Sequence, residues 1–273
     1  MSDIAVAMKL LRGHGLGNDY LILLDGPRIT PELARAICDR HTGVGSDGIL
    51  EPAIPVGAEY GVRIWNPDGS VAEKSGNGLR IFARWLHSRC EASDQFSIWT
   101  GHDVVHCECT EASIRIDMGR VSATPEVLDL AGKLFDVVVV NVGNPHCVLF
   151  PEGSTLDGLP WRGWGAAIEV HPRFDKHTNV QFARVTGPHT LEARIWERGA
   201  GETLASGSSS CAIVAAALQT GRIEPGPARV DMVGGSLDVV VADGRVSLIG
   251  PAELIGEFTV FEDYYPSLGI SPE

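Results

Sequence analysis

Positive charge is scarce in this 273-residue chain: 22 Lys and Arg stand against 35 Asp and Glu, a formal net charge of −13. A phosphate backbone calls for clustered basic side chains, so a nucleic-acid partner is not expected. Long apolar runs are missing as well. Nothing approaches the ~18 consecutive apolar residues of a membrane-spanning helix, so no membrane partner is expected. The opening MSDIAVAMKLLRGHG has no basic segment followed by a long apolar one, so no secretory leader is expected, and the cytoplasm is the default compartment. Cysteine is sparse and irregular. The six residues, Cys38, Cys90, Cys107, Cys109, Cys147 and Cys211, lack framework spacing, which suits buried thiols in a reducing compartment better than disulfides.

What is present is globular. With 44% hydrophobic and 21% charged residues, the length allows two domains that each close an apolar core. Short alternating segments predict strands: YLILLD, GVRIWN, FSIWTG, SIRIDMG, DVVVVNVG, CVLFP, NVQFARV, EARIWERG, LDVVVAD and RVSLIG. Helical periodicity predicts three helices: Pro31 to His41 with Thr30 as cap, Gly78 to Cys90, and Ser209 to Gly221 with Gly221 at the stop. The fold class is mixed α/β.

The two halves echo each other. Gly17-Asn18-Asp19 is answered by Gly143-Asn144-Pro145, and Asn66 after VRIW has an approximate counterpart in Asn179 before VQF. Ser75-Gly76-Asn77-Gly78 and Ser206-Gly207-Ser208-Ser209 each open an apolar helix. Gly, Asn and Ser mark ordinary turns, but three echoes in one order point to a duplicated unit. A helix start offers unpaired N–H groups and the positive dipole end, and so holds a carboxylate without Lys or Arg. Two such starts face to face would grip one carboxylate and aim Ser75 and Ser206 at opposite faces of the adjacent carbon, a geometry suited to stereochemical inversion.

The segments HGLGNDY (14–20), RHTGVGSDGIL (40–50), IWNPDGSVAEKSGNGLRIFA (64–83), VGNPHCV (142–148), HTNVQF (177–182), ERGAGETLASGSSSCA (197–212) and GPAELIGEF (250–258) resemble, in order and spacing, the diaminopimelate epimerase family. That resemblance implies an isomerase without pyridoxal or metal. It implies two pseudo-symmetric α/β (α+β) domains, each a barrel-like mixed sheet around a central helix. In the family one cysteine thiolate removes the α-proton and a thiol opposite returns one, and here Ser75 and Ser206 hold those positions. By the same resemblance Gly76, Asn77, Gly207 and Ser208 give N–H groups to the substrate carboxylate. Asn18, Asn66, Asn144, Asn179, Glu197 and Arg198 orient the substrate, especially its far ammonium and carboxylate. Physically, Arg198 beside Glu197 suits a zwitterionic amino-acid head, through a bidentate carboxylate contact and an ammonium pair. The implied partner is a small diaminopimelate-like amino acid, and the resemblance is compatible with a homodimer.

The departures carry equal weight. A thiol ionises near ~8.5, within reach of a helix start, whereas a serine hydroxyl is a far weaker acid. Neither turn has an adjacent Lys or His in sequence that offers obvious activation; Lys74 is expected to point elsewhere, and His146 would approach only through the fold. Three readings stay open: thiols removed so as to trap a ligand, a natural relative with different chemistry or a different amino-acid substrate, and a protein that binds without turnover. Ser209, where the family usually keeps glycine, favours divergence.

Other motifs fare worse. Gly43 to Gly48 spells G-x-G-x-x-G, but it follows a helical pattern rather than a strand, the reverse of a dinucleotide loop. His102, His106, Cys107 and Cys109 lie on a predicted strand that sends neighbours to opposite faces, so no metal site is expected. Cys147 is expected in the core, with His146 as a hydrogen-bonder behind the site. The tryptophans are scattered, as packing residues would be. The expected domains are 1–121, with 257–273 returning to it, and 122–256, hinged near Gly119 to Thr124.

Overall fold

The computed structural model describes residues 7–89, 92–153 and 155–264. The chain divides into two compact units, Met1–Ile114 with Pro251–Glu273, and Arg115–Gly250. Cys90 and the tail beyond 264 lie outside the described residues, and the expected hinge at Gly119 to Thr124 falls within the second unit.

In the first unit β1 (Met8–Gly15) and β2 (Asn18–Asp25) are followed by α1 (Pro31–Cys38), β3 (Ile49–Pro52), β4 (Tyr60–Trp65), β5 (Val71–Ala72), α2 (Gly76–Arg89), β6 (Gln95–Trp99) and β7 (Val104–Cys109). The second unit opens with β8 (Ile114–Arg120) and β9 (Ser122–Leu130). It continues through β10 (Lys133–Asn141), β11 (Pro145–Leu149), α3 (Trp161–Glu169), β12 (Asn179–Gly187), β13 (Thr190–Glu197), β14 (Gly201–Thr203), α4 (Gly207–Gln219), β15 (Ala228–Met232), β16 (Gly235–Ala242) and β17 (Arg245–Gly250). Then β18 (Glu253–Val260) returns to the first unit, antiparallel to β1.

The pairings repeat. In the first unit β1 and β2 form a hairpin, β2 runs parallel to β3, β3 antiparallel to β4, β4 carries β5 and runs parallel to β6, and β6 pairs antiparallel with β7. In the second, the same sequence of relations links β10, β11, β12, β13, β14, β15 and β16. The edge strands β18 and β9 are equivalent too, each antiparallel to the first strand of its hairpin. This is the mixed α+β duplication that the sequence echoes imply.

Local chemistry sets the helix ends. Thr30 Oγ1 accepts the Leu33 N–H at 3.2 Å, with Pro31 in the first turn, and starts α1 as expected. The helix stops at Cys38 rather than His41, because the Asp39 carboxylate takes the N–H groups of His41 and Thr42 at 2.8 and 2.6 Å and bends the chain away. The starts of α2 and α4 lie two residues earlier than predicted, at Gly76 and Gly207. Gly221 (φ 63) terminates α4 as a left-handed stop.

The sequence reading misses α3, whose WRGWGAAIE looks like a loop after Pro160. Gly165 is required there, since a Cβ would lie 2.9 Å from the Trp196 side chain. It also misses the edge strands β9 and β18, which are mostly exposed and lack the alternation of a half-buried strand. An edge position explains how β9 tolerates Pro125.

Apolar burial centres each unit. Leu10, Leu21, Leu33, Ile37, Ile49 and Trp65 form a core that seals α1 in the first. Leu149, Trp161, Ile168, Val180 and Phe182 do the same for α3 in the second. The apolar helix α4 is buried along nearly all its length and packs against β9, β10, β11, β12, β15, β16 and β17, the central helix of its sheet. Within the described residues no helix is long and apolar enough to cross a membrane.

Candidate active site

In the first unit Ser75 caps α2. Its Oγ accepts the Gly78 N–H at 3.0 Å and its carbonyl accepts the Leu79 N–H at 2.9 Å. The N–H groups of Gly76 and Asn77 are thus the helix donors left for a ligand. A further hydrogen bond, 3.0 Å, joins Ser75 Oγ to the phenol oxygen of Tyr20. Asn18 and Tyr20 are two apart on β2 and share a face. That face meets the start of α2, where Asn77 Nδ2 donates to Asn18 Oδ1 at 2.9 Å and Arg80 Nη2 donates to Asn77 Oδ1 at 2.8 Å.

Asn18 is braced from behind. Its Nδ2 donates to Asp47 Oδ2 at 2.7 Å, and the Asp19 N–H donates to the same oxygen. Arg40 spans Asp19 and Asp47, and Arg12 holds the other side of Asp19. The G-x-G-x-x-G stretch is therefore the strap that carries Asp47 to Asn18. Its last glycine is obligatory, because a Cβ at Gly48 would lie 2.6 Å from the Tyr20 ring. Asn66 is bound within its own turn, donating to Ser70 Oγ at 2.9 Å, and not to this cluster. Lys74 reaches toward Asp103, 3.6 Å away.

In the second unit Ser206 precedes α4 in extended conformation, and its side chain makes no capping bond. Its carbonyl accepts the Ser210 N–H and hydroxyl at 3.1 and 2.9 Å. Gly207 and Ser208 carry the first helical N–H groups. Behind them runs a buried polar chain: Gln181 Nε2 donates to Ser209 Oγ at 3.0 Å and to His146 Nδ1 at 2.9 Å, and His146 Nε2 donates to Asn144 Oδ1 at 2.9 Å. Burial pushes the His146 imidazolium down to about 3, partly opposed by the Gln181 bond, so the ring is neutral near pH 7. Asn179 bridges elsewhere, donating to the Pro145 carbonyl and accepting the Arg198 N–H, both at 3.0 Å. The Arg198 side chain is exposed and donates to the Lys176 carbonyl at 3.1 Å, while Glu197 ends β13 opposite Gly201.

The register corrects one expected echo. Ile49 pairs with Trp65 as Val180 pairs with Trp196, so Asn179 corresponds to Gly48, and Asn66 corresponds to Glu197 at the strand end. The Asn18 and Asn144 equivalence holds, and it makes Tyr20 the counterpart of His146. Sequence reading matched asparagine with asparagine; the pairing matches IWN with IWE. It also overlooked Tyr20, Asp47 and Gln181. For Tyr20 a signal existed, its position two residues after Asn18 on one strand.

On β7, His106 is exposed while Cys107 and Cys109 are buried, the alternation that argues against a shared metal. Cys147 lies in the core, and the five described cysteines are all buried.

Among solved structures this architecture is similar to that of a hydroxyproline epimerase from Agrobacterium vitis, with a TM-score of 0.67, 14% identity and coverage of 93% of this chain and 91% of that one. At that identity the likeness is one of fold alone, the duplicated two-unit α+β fold. The diaminopimelate epimerase family model matches residues 10–124 and 138–255, and the chain belongs to that family of isomerases. A diaminopimelate epimerase from Pelotomaculum thermopropionicum is 36% identical, the match spanning 95% of this chain and 99% of that protein. One from Microcystis aeruginosa is 39% identical over 93% and 97%.

Proposed function

We propose that this chain is a cofactor-independent isomerase that moves the α-proton of a diaminopimelate-like amino acid, with Ser75 and Ser206 as the proton-transferring side chains. The observation that carries this is their equivalence: in a family of isomerases, each serine heads the helix that follows the same small hairpin of the repeated topology. The N–H groups of Gly76, Asn77, Gly207 and Ser208 hold the carboxylate next to the reacting carbon, which stabilises the negative charge that develops when the proton leaves. Asn18, Asn66, Asn144 and Asn179 orient the substrate, with Glu197 for its far ammonium and Arg198 for its far carboxylate. His146, neutral and buried, positions Asn144. The protein works as a soluble cytoplasmic homodimer.

The test is α-proton exchange in heavy water. The chain is expected to wash deuterium into diaminopimelate slowly, and Ser75→Cys with Ser206→Cys to raise the rate by about 10²-fold or more, the scale of one well-placed acid–base group. Silence from both proteins, with no diaminopimelate binding by calorimetry, would overturn the assignment. Binding with silence from both would support the second reading, a binding protein, in keeping with a Ser206 side chain that makes no capping hydrogen bond.

A further inference from the structure

The two halves differ in what stands behind each serine. Ser75 Oγ is 3.0 Å from the phenol of Tyr20, which is 6% exposed and wedged against Gly48. At the equivalent position of the second unit stands His146, turned to Asn144 and Gln181, and the hydroxyl of Ser206 makes no capping bond. We propose that Tyr20 is a positioning residue that relays the proton of Ser75, so that the substrate's proton is exchanged from the Ser75 side with assistance and from the Ser206 side without. This rests on the reaction proposed above.

The step balances within the pair. With the phenol ionised, its proton released to water, the α C–H bond breaks and its electron pair stays on carbon. That proton bonds to Ser75 Oγ while the original Ser75 proton passes to the Tyr20 oxygen; the reverse shift restores the pair. A phenol ionises near ~10 in water, so it is a far more accessible proton store than a serine alkoxide. The Gly78 N–H on Ser75 Oγ stabilises the charge as it passes.

Charged groups on the elements around Tyr20 include Arg12 and Lys9 on β1, Arg40 before the strap and Asp47 on it, Glu51 on β3, Lys74 beside Ser75, Arg80, Arg84 and Arg89 on α2, and Asp19 and Asp25 on β2 itself. Asp19 and Asp47 are bonded to Arg12 and Arg40, and Glu51 to the Trp65 indole.

Three measurements decide it. In protein carrying ring-labelled tyrosine, the Tyr20 resonance, assigned with Tyr20→Phe, should titrate at a different pH in Ser75→Ala; an unchanged titration shows an uncoupled pair and overturns the relay, with or without activity on any substrate. Tyr20→Phe should lower kcat for exchange about 10²-fold with KM nearly unchanged. In the Ser75→Cys background the same substitution should cost less than about 3-fold, because a thiolate needs no relay. Equal losses in both backgrounds would mean that Tyr20 only supports the fold. If no variant exchanges diaminopimelate, the assigned reaction fails while the resonance test still decides the pair.

Discussion

Gln181→Met tests the buried chain that aims Asn144. Gln181, His146 and Ser209 are each fully buried. Gln181 Nε2 serves both partners, and its Oε1 is buried and unpaired among the described residues. Methionine keeps the length of the side chain and removes both donors. It also removes the orphaned Oε1 but leaves both His146 Nδ1 and Ser209 Oγ without the amide donor, so two buried orphans replace one. The loss of two neutral hydrogen bonds at roughly 0.5–1.5 kcal/mol each gives a destabilisation of about 1–3 kcal/mol. Urea unfolding of the full chain, followed by circular dichroism, reads it. Ser209→Gly should cost about 1 kcal/mol, and the double variant should lose about 1 kcal/mol less than the sum, since the two residues share one bond. The KM for diaminopimelate should rise in Gln181→Met, because a freed imidazole no longer fixes Asn144. Unchanged stability, or strict additivity with Ser209→Gly, would refute the network.

The pH dependence of stability follows from His146, whose folded pKa of about 3 lies below the ordinary value of 6.5. Between those values the unfolded chain binds more protons, so this contribution is complete above ~6.5 and is lost as pH falls, by about 1.4 kcal/mol per unit. His146→Gln should flatten that limb in urea titrations between pH 7 and 5; an unaltered slope would show that another group carries it. Cys38, Cys109 and Cys147 are pushed up to about 11, 11 and 12, chiefly by burial, and Cys107 higher still. Iodoacetamide at neutral pH should therefore leave all four unmodified in peptide maps of native protein, and alkylation at Cys147 would show that its strand opens.

Much was legible in the chain because the informative signals were local. The capping of α1 by Thr30, the glycine stop after α4 and the alternation along β7 are decided by residues within a few positions of one another. The edge strands escaped because exposed backbone pairing leaves no apolar pattern, and α3 escaped because its Gly165 is there to pack against Trp196, a contact with no trace in its own segment. At the candidate site, the recurring Gly-Asn and Ser-Gly turns singled out Asn18, Ser75, Asn144 and Ser206 as candidates. Their supports were invisible: Asp47 reaches Asn18 across 29 positions and Tyr20 reaches Ser75 across 55.

By itself, then, the sequence determined the mixed α/β class, the duplication, the family resemblance and the two serines in place of thiols. These reside in residue identity and short spacing. Only the tertiary structure decided that Asn66 corresponds to Glu197 and that Tyr20 and His146 occupy one position with different partners. Strand register sets those equivalences, and register is fixed by pairing between segments far apart in the chain.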